Sequence, residues 1–295
     1  MRYGLVGSEM CIRDSYTMRL KWFKMSILVY IESNQNQIKK SSFESLSYAK
    51  KLSKLISLDV IAVVINCSEL APLSDFGPDK IISINEKKLE TFNAHNYADV
   101  ISNVSKSVSA KNIIISDSIN CKYLASLLSV KLNAAFVSNV VSLPNSTNPF
   151  VVKRSTFSNK AFCEIEINSE IRILSISKNS IGLNENKSEP IILNHDINFT
   201  ESRLTSESIK VSEETVSIED ADVVVSAGRG LKGPENWNIV EDLAKTLNAA
   251  TACSKPVSDM GWRPHSEHVG QTGKPVSTNL YLSLIHISEP TRPYL

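Results

Sequence analysis

Three short clusters of residues in the C-terminal half of the chain have the types and spacing of a phosphate- or ring-binding site. The first is GRGLKG at Gly228–Gly233, a GxGxxG pattern that follows the buried-type strand Ala221–Ala227. Pro234 then suits the first turn of a helix, and apolar residues recur at helical spacing over Trp237–Leu247. Glycines at such a turn let the backbone approach a pyrophosphate. The spacing also suits a tight turn without a ligand. The acidic residue that NAD binding requires about 20 positions on is absent from Leu247–Ala252.

The second cluster, Ala252–Pro256 (ACSKP), comes where a second expected strand at Ala249–Ala252 should end. It should therefore lie at the carboxyl edge of the sheet, where open α/β sheets bind their ligands. Ser254 offers a hydroxyl group for a phosphate or a ring, and Lys255 offers a cation. The alternative interpretation is an exposed loop with a solvated lysine.

The third cluster, His265–Lys274 (HSEHVGQTGK), contains two histidines and an acidic residue. A metal site is a weak interpretation, because Pro264 and Gly270 favour a loop and no further ligand is near in the sequence. Gln271 and Thr272 stand between glycines and are better explained as hydrogen-bond donors to a ligand. GQTGK lacks the full GxxxxGK[ST] phosphate loop, so the sequence does not support nucleoside triphosphate hydrolysis.

The elements that position these clusters alternate between strands and helices, which predicts an α/β fold with a parallel sheet covered on both faces. The strands expected in this sheet are Ser26–Glu32, Asp59–Asn66, Lys80–Ile84 and Asn112–Ser116, and the expected helices are Ser42–Ile56, Asn96–Val108 and Lys122–Leu132. Shorter strands then suggest an antiparallel extension that closes the domain: Ala135–Val141, Phe150–Arg154, Ala161–Ile167 and Ile171–Ser175. Asn179–Val216 is expected to connect two domains, and part of it could pair as an edge strand.

Composition excludes several classes of protein. The chain has a formal net charge of +1, and its first 24 residues are basic, so the remainder has no positive excess to bind nucleic acid. No apolar run reaches the length of a membrane span, so no membrane insertion is expected. The cysteines are far apart and form no CxxC pair, which suits a reducing bacterial cytoplasm better than a disulfide framework or a zinc site.

Both ends of the chain have the character of a translated sequencing adapter. Leu282–Arg292 (LSLIHISEPTR) and Leu5–Ser15 (LVGSEMCIRDS) can be encoded by the two complementary strands of one DNA duplex. Two ends of a natural protein have no reason to share a duplex, so residues 1–15 and 282–295 are excluded from fold reasoning as foreign sequence. Residues 16–24 are expected to be untranslated leader that was read through, because Met25 directly precedes the first strand; a basic targeting peptide is the alternative. The expected domains are then residues 25–205, an N-terminal α/β domain, and residues 206–281, a cofactor-binding domain.

The three clusters together resemble one family, the alpha subunit of electron transfer flavoprotein. The matching segments are Val223–Lys232 (VVVSAGRGLK), Glu235–Leu247, Ala249–Asp259 (AATACSKPVSD), Val269–Lys274 (VGQTGK) and Asn279–Tyr281. The first domain is similar through Ser26–Glu32 (SILVYIE) and Lys122–Val140. The expected fold is therefore a parallel-sheet, nucleotide-binding-like domain with an antiparallel extension, followed by a truncated flavodoxin- or Rossmann-like FAD-binding domain.

This resemblance implies an electron carrier rather than a conventional enzyme. Such a chain pairs with the electron transfer flavoprotein beta subunit in a heterodimer and holds FAD mainly in its second domain. It accepts electrons from acyl-CoA dehydrogenases of fatty acid beta-oxidation and from related flavoenzymes, and passes them to electron transfer flavoprotein-quinone oxidoreductase. Matched residue by residue, the cofactor contacts would be Arg229, Ser254, Lys255, Val269, Gly270, Gln271 and Thr272.

Two departures from the family are visible. Lys255 stands where family members commonly carry Arg; an ammonium group keeps the charge but cannot form the planar fork of a guanidinium group. After Tyr281 the family continues into a Gly-Ile-Ser-Gly-Ala…His segment and an Asn…Asp region, which this chain lacks. The chain as written is therefore expected to bind FAD weakly or not at all, to purify colourless and to aggregate.

Two other functions stay open at this point. A nicotinamide-dependent oxidoreductase or transhydrogenase-like domain could use the same GxGxxG, although its acidic partner is missing. An adenine-nucleotide-binding module could use the first domain, although Ile31–Lys40 has no glycine for a phosphate loop.

Overall fold

The chain divides into two compact units, Met1–Ser206 and Glu207–Leu295. The structure, a computed structural model, describes residues 25–34, 36–157, 159–195, 199–200, 202–204, 218, 221–270, 272–274 and 276–284. The helices of the described residues are α1 (Lys40–Ile56), α2 (Ala94–Ser107), α3 (Ile119–Leu132), α4 (Asn238–Leu247) and the one-turn α5 (Lys255–Asp259).

Twelve of the described strands belong to the first unit and three to the second. Those of the first unit are β1 (Ser26–Ile31), β2 (Ser33–Asn34), β3 (Gln37–Ile38), β4 (Asp59–Ile65), β5 (Lys80–Ile84), β6 (Ala110–Ser116), β7 (Ala135–Val140), β8 (Ser146–Thr147), β9 (Phe150–Thr156), β10 (Ala161–Ile167), β11 (Arg172–Ile176) and β12 (Ile191–Asn194). Those of the second are β13 (Val223–Ala227), β14 (Ala250–Cys253) and β15 (Leu280–Leu284).

The first unit is built on one large sheet with the strand order β10-β9-β7-β11-β6-β1-β4-β5-β12. The pairs from β7 to β12 along this order are parallel, whereas β9 is antiparallel to both β7 and β10. All six residues of β1 are buried, because helices cover a parallel sheet on both faces. The predicted α/β class with a mostly parallel sheet is confirmed.

The predicted antiparallel extension is wrong in one part. β7 and β11 are parallel to each other, and β11 is parallel to β6, so both belong to the main sheet. The extension consists of β8, β9 and β10 only. The chain leaves β7, makes the β9–β10 hairpin and returns into the slot between β6 and β7. Ile173, Leu174 and Ile176 are buried there, which suits a central strand.

Alternate residues of the central strands supply two apolar layers. Leu28 and Tyr30 of β1 face the layer that includes residues of α2 and α3, and Ile27 and Val29 face the layer that includes residues of α1. Side chains next to a helix can stabilise its end. The Asn93 side chain, for example, accepts hydrogen bonds from the backbone amides of His95 and Asn96 in the first turn of α2.

β12 is an edge strand that runs parallel to β5. It lies within the segment expected to connect the domains, where the sequence allowed an edge strand. Residues 196–198, 201 and 205–216 of that segment lie outside the described residues.

The second unit contains a three-stranded parallel sheet in the order β14-β13-β15. On one face, Val225 and Ala227 pack with Trp237, Val240 and other residues of the α4 region. On the other face, Val224 packs with a smaller apolar cluster. Residues 282–284 of β15 lie in the segment that the DNA-complementarity argument predicts to be foreign. That prediction concerns the origin of these residues, which their strand conformation does not test.

Candidate functional site

The carboxyl edge of the second unit's sheet brings the three sequence clusters together. β13 ends at Ala227, whose carbonyl oxygen accepts a hydrogen bond from the Ser254 amide at 3.0 Å. β14 ends at Cys253, whose carbonyl oxygen accepts from the Val269 amide at 3.1 Å. The segments that begin at Gly228, Ser254 and Val269 therefore lie side by side, although they are far apart in the chain. We call this edge the rim, and the described residues 269, 270 and 272–274 the rim turn.

The predicted site residues differ in exposure. Arg229, Lys255, Gly270 and Thr272 are exposed, whereas Ser254 and Val269 are partly buried. Gln271 lies outside the described residues. Six of the seven predicted contact residues are therefore placed at one edge, and the four exposed ones are accessible to a ligand.

The first cluster forms a 3-10 turn at Arg229–Leu231, directly after β13. Pro234 begins a second 3-10 turn, and the α-helix starts only at Asn238, later than the proline predicts. The residue with a left-handed backbone conformation in this turn is Lys232, with φ of 68°, and not one of the glycines. In the dinucleotide-binding fingerprint, GxGxxG leads directly into an α-helix. Here a second 3-10 turn lies between the glycines and the helix.

The rim turn is compact and depends on two glycines for different reasons. Gly270 has φ of 141°, a backbone conformation that side chains disfavour, and a Cβ there would meet only the His268 ring at 3.9 Å. Gly273 lies against the backbone of His268, and a Cβ there would be 2.4 Å from the His268 carbonyl oxygen. That carbonyl also accepts a hydrogen bond from the Lys274 amide at 2.8 Å.

An ion-pair cluster precedes the rim turn. Arg263 donates from Nε and Nη2 to both carboxylate oxygens of Glu267, and from Nη1 to Glu241 Oε1 at 3.0 Å. The Glu267 side chain is only 7 % exposed, and Glu241 lies on α4. Hydrogen bonds from the guanidinium group to Glu267 raise the pKa of Arg263 further above its usual range.

The two histidines of the third cluster have different surroundings. The His265 and His268 rings are 5.3 Å apart between centroids. His265 is exposed and its Nδ1 lies 3.1 Å from Ser258 Oγ. His268 is buried, and its Nδ1 has no hydrogen-bond partner among the described residues. Glu267 is engaged by Arg263. Across the described part of the chain, no group of three or more acidic, histidine or cysteine side chains is placed to hold a metal ion.

Cys253 lies at the end of β14, beside the rim. Burial raises the pKa of its thiol to about 11, with a further contribution from Glu267. A buried, protonated thiol is a poor nucleophile, so nothing here indicates cysteine chemistry.

Comparisons with known proteins identify the family of this chain. Residues 27–193 match the electron transfer flavoprotein domain, and residues 217–288 match the electron transfer flavoprotein FAD-binding domain. The chain belongs to the electron transfer flavoprotein family. The resemblance seen in the sequence is thereby confirmed, as is FAD as the cofactor of the C-terminal domain.

Relatives with curated names support the same assignment. Electron transfer flavoprotein subunit alpha of Syntrophomonas wolfei is 29 % identical over 262 residues, which cover 86 % of this chain and 81 % of that protein. The subunit alpha of Bacillus subtilis is 26 % identical over 263 residues, covering 87 % and 80 %. Protein FixB of Azorhizobium caulinodans is 22 % identical over 291 residues, covering 94 % and 79 %.

The residues at the rim fit an FAD molecule in their chemistry. Arg229 and Lys255 are exposed cations at the ends of adjacent strands, which suits the negative charge of a pyrophosphate. Gly270 is exposed and has no side chain, and its φ of 141° is a conformation that other residues rarely adopt, so the backbone is open to a ligand there. The Thr272 hydroxyl group is exposed on the same turn and can donate a hydrogen bond.

In the described residues of the chain, no helix is long and apolar enough to cross a membrane.

Sequence reasoning missed the residues that support the rim. Arg263 lies outside every sequence motif, and the motif that contains Glu267 suggests only a weak metal-binding role. No local pattern predicts the burial of His268. The one signal for the ion pair was the i,i+4 spacing of Arg263 and Glu267. That signal is weak outside a helix, and the pair lies in a loop with a single 3-10 turn.

Proposed function

We propose that this chain is the FAD-binding alpha subunit of a two-subunit electron carrier. The observation that supports this most is the meeting of three separate clusters at the rim, through the backbone hydrogen bonds of Ser254 and Val269. A carrier needs a site that holds and tunes one cofactor, and it needs no acid, base or nucleophile of its own. FAD, when bound, supplies the electron-transfer chemistry.

Each rim residue has a distinct role in this proposal. Arg229 and Lys255 pair with the pyrophosphate, where two cations offset its two negative charges. Ser254 supplies a hydroxyl group next to Lys255, at the start of α5. Val269, Gly270 and Thr272 form the surface against the isoalloxazine or ribityl part, and Thr272 donates a hydrogen bond to it. Gln271, which lies outside the described residues, is assigned to the same part by its place in the sequence. A donor or cation near the flavin favours the reduced, more negative state of the ring.

The proposed partners follow from the family. The second subunit is an electron transfer flavoprotein beta subunit, the electron donors are acyl-CoA dehydrogenases, and the acceptor is an electron transfer flavoprotein-quinone oxidoreductase. The relatives named subunit alpha support the presence of a second subunit.

FAD titration of the full chain tests the proposed site. The missing C-terminal segment allows two outcomes, weak binding or none, and the proposed site predicts weak, saturable binding. We expect binding to be about tenfold weaker again in each of Arg229→Ala and Lys255→Ala, because each loses a charge-assisted contact to phosphate. Lys245→Ala is the matched control, since Lys245 is an exposed cation of the same unit, on α4 and away from the rim clusters. Absence of saturable binding up to about 1 mM FAD, equal affinity for NAD, or equal affinity of all three variants would refute the proposed site.

A second experiment tests the role as a carrier. The chain is co-expressed with a beta-subunit candidate from the neighbouring gene, loaded with FAD, and mixed with a reduced acyl-CoA dehydrogenase. We expect bleaching of the flavin absorbance near 450 nm that requires both subunits. Direct reduction of the bound flavin by NADH, with no response to the dehydrogenase, would favour a nicotinamide-dependent oxidoreductase instead.

A further inference from the structure

The segment that leads into the rim turn has little regular structure of its own. After α5, the chain passes Gly261 in a left-handed conformation, with φ of 73°, and makes a 3-10 turn at His265–Glu267 before it reaches the sheet at His268. Some other contact must therefore hold this segment in register with the rim.

Arg263 provides that contact, because it joins three parts of the second unit. Its guanidinium group forks onto Glu267, bonds to Glu241 of α4, and lies over the Trp237 ring at 5.4 Å. Glu241 is 41 % exposed and Glu267 is 7 % exposed. The bond to Glu267 therefore dominates, since an exposed ion pair contributes little.

Glu267 connects this cluster to the rim turn. It directly precedes His268, whose carbonyl oxygen accepts from the Lys274 amide and lies against Gly273. Without Arg263, a nearly buried carboxylate would lose its cation and its two donors. Such a group must either take up a proton or reach water, and outward movement of Glu267 would displace the adjacent His268.

We propose that Arg263 is a positioning residue for the rim turn, so that the turn's flavin-facing residues are held in place before the cofactor arrives. This inference rests on the proposed FAD site and assigns a role to a side chain outside the seven proposed cofactor contacts. Arg263 acts through Glu267, and it sets the position of Gly270 and Thr272 relative to Arg229 and Lys255.

Arg263→Met separates this role from a general contribution to stability, because methionine keeps much of the apolar stem and removes the charge. In the full chain without FAD, we expect the amides of Gly273 and Lys274 to exchange with deuterium about tenfold faster, while β13 amides keep their rates. In FAD titration, we expect about tenfold weaker binding.

Two further variants sharpen the comparison. Arg263→Met combined with Glu267→Gln removes the orphaned charge, so we expect exchange and FAD affinity to return to within about threefold of the unaltered chain. Glu241→Gln changes only the exposed partner and should leave both measurements unchanged within about twofold.

The outcomes distinguish this inference from the proposed function. Faster exchange throughout the second unit, unchanged exchange in the rim turn, or no rescue by the double variant would overturn the role of Arg263. Failure of the unaltered chain to bind FAD would overturn the proposed function, and the exchange measurement would still decide the role of Arg263.

Discussion

Replacing Gly273 by alanine tests whether close backbone packing holds the rim turn. A Cβ on Gly273 would lie 2.4 Å from the His268 carbonyl oxygen and 2.8 Å from its carbonyl carbon. Both are backbone atoms, so they cannot rotate aside as the end of a flexible side chain would. The turn itself must move by roughly 1 Å to restore an ordinary contact, which breaks the bond from the Lys274 amide to the same carbonyl.

The expected loss of stability combines three contributions. Overpacking costs about 1–3 kcal/mol, and the broken hydrogen bond adds about 1 kcal/mol. Alanine also restricts the unfolded chain, which offsets about 0.4–1 kcal/mol. The net expectation is a free energy of unfolding lower by about 2 kcal/mol for the second unit, together with weaker FAD binding.

Denaturant unfolding followed by tryptophan fluorescence measures this change, because Trp237 and Trp262 both lie in the second unit. Gly261→Ala is the matched control: Gly261 has φ of 73°, and no heavy atom lies within 4 Å of a Cβ built there. It should lose only the left-handed strain, about 1 kcal/mol. If Gly273→Ala is no more destabilising than Gly261→Ala and binds FAD normally, the packing argument for the rim turn is wrong.

Three other predictions concern the thiols and the rim cation. Burial raises the thiol pKa to about 12 for Cys121 and about 11 for Cys253, above the ordinary 9.0, so the unfolded chain loses these protons first. The free energy of unfolding should therefore fall as pH rises above 9, by roughly 1.4 kcal/mol per pH unit for each thiol, up to about pH 11 for Cys253 and about pH 12 for Cys121. A flat urea-denaturation profile between pH 9 and 11 would contradict this. Among the cysteines of the described residues, exposed Cys163 should be alkylated first at pH 8, and peptide mass spectrometry showing equal labelling of Cys253 would contradict its burial. Lys255→Arg should tighten FAD binding by a few-fold, about 0.5–1 kcal/mol, because a guanidinium group can fork onto phosphate; unchanged affinity in a fluorescence titration would argue against a phosphate contact at this position.

Local patterns in the sequence were sufficient to predict most elements. β5 and β10 have the predicted bounds, and α1, α2 and α3 begin within three residues of the predicted starts. Runs of valine and isoleucine predict buried strands because hydrophobicity and strand propensity are local properties of the sequence. The rim cluster could also be predicted, since successive parallel strands bring their carboxyl ends to the same edge.

Strand direction could not be predicted in the same way. β7 and β11 have the length and composition of the antiparallel strands around them, yet both are parallel members of the main sheet. Their direction depends on which slot the chain enters after the β9–β10 hairpin, and that choice is made by contacts with β6 and the covering helices. No residue in Ala135–Val140 encodes it alone.

The sequence by itself determined the family, the FAD cofactor and the three clusters, because these depend on residue identity and spacing along the chain. Only the tertiary structure showed that Arg263 neutralises a nearly buried Glu267 and that Gly273 lies against the His268 backbone. Burial and close contact are set by groups that are distant in sequence or turned back by a loop. A charge pair in a loop has the same sequence pattern whether it is solvated or holds a binding site in place.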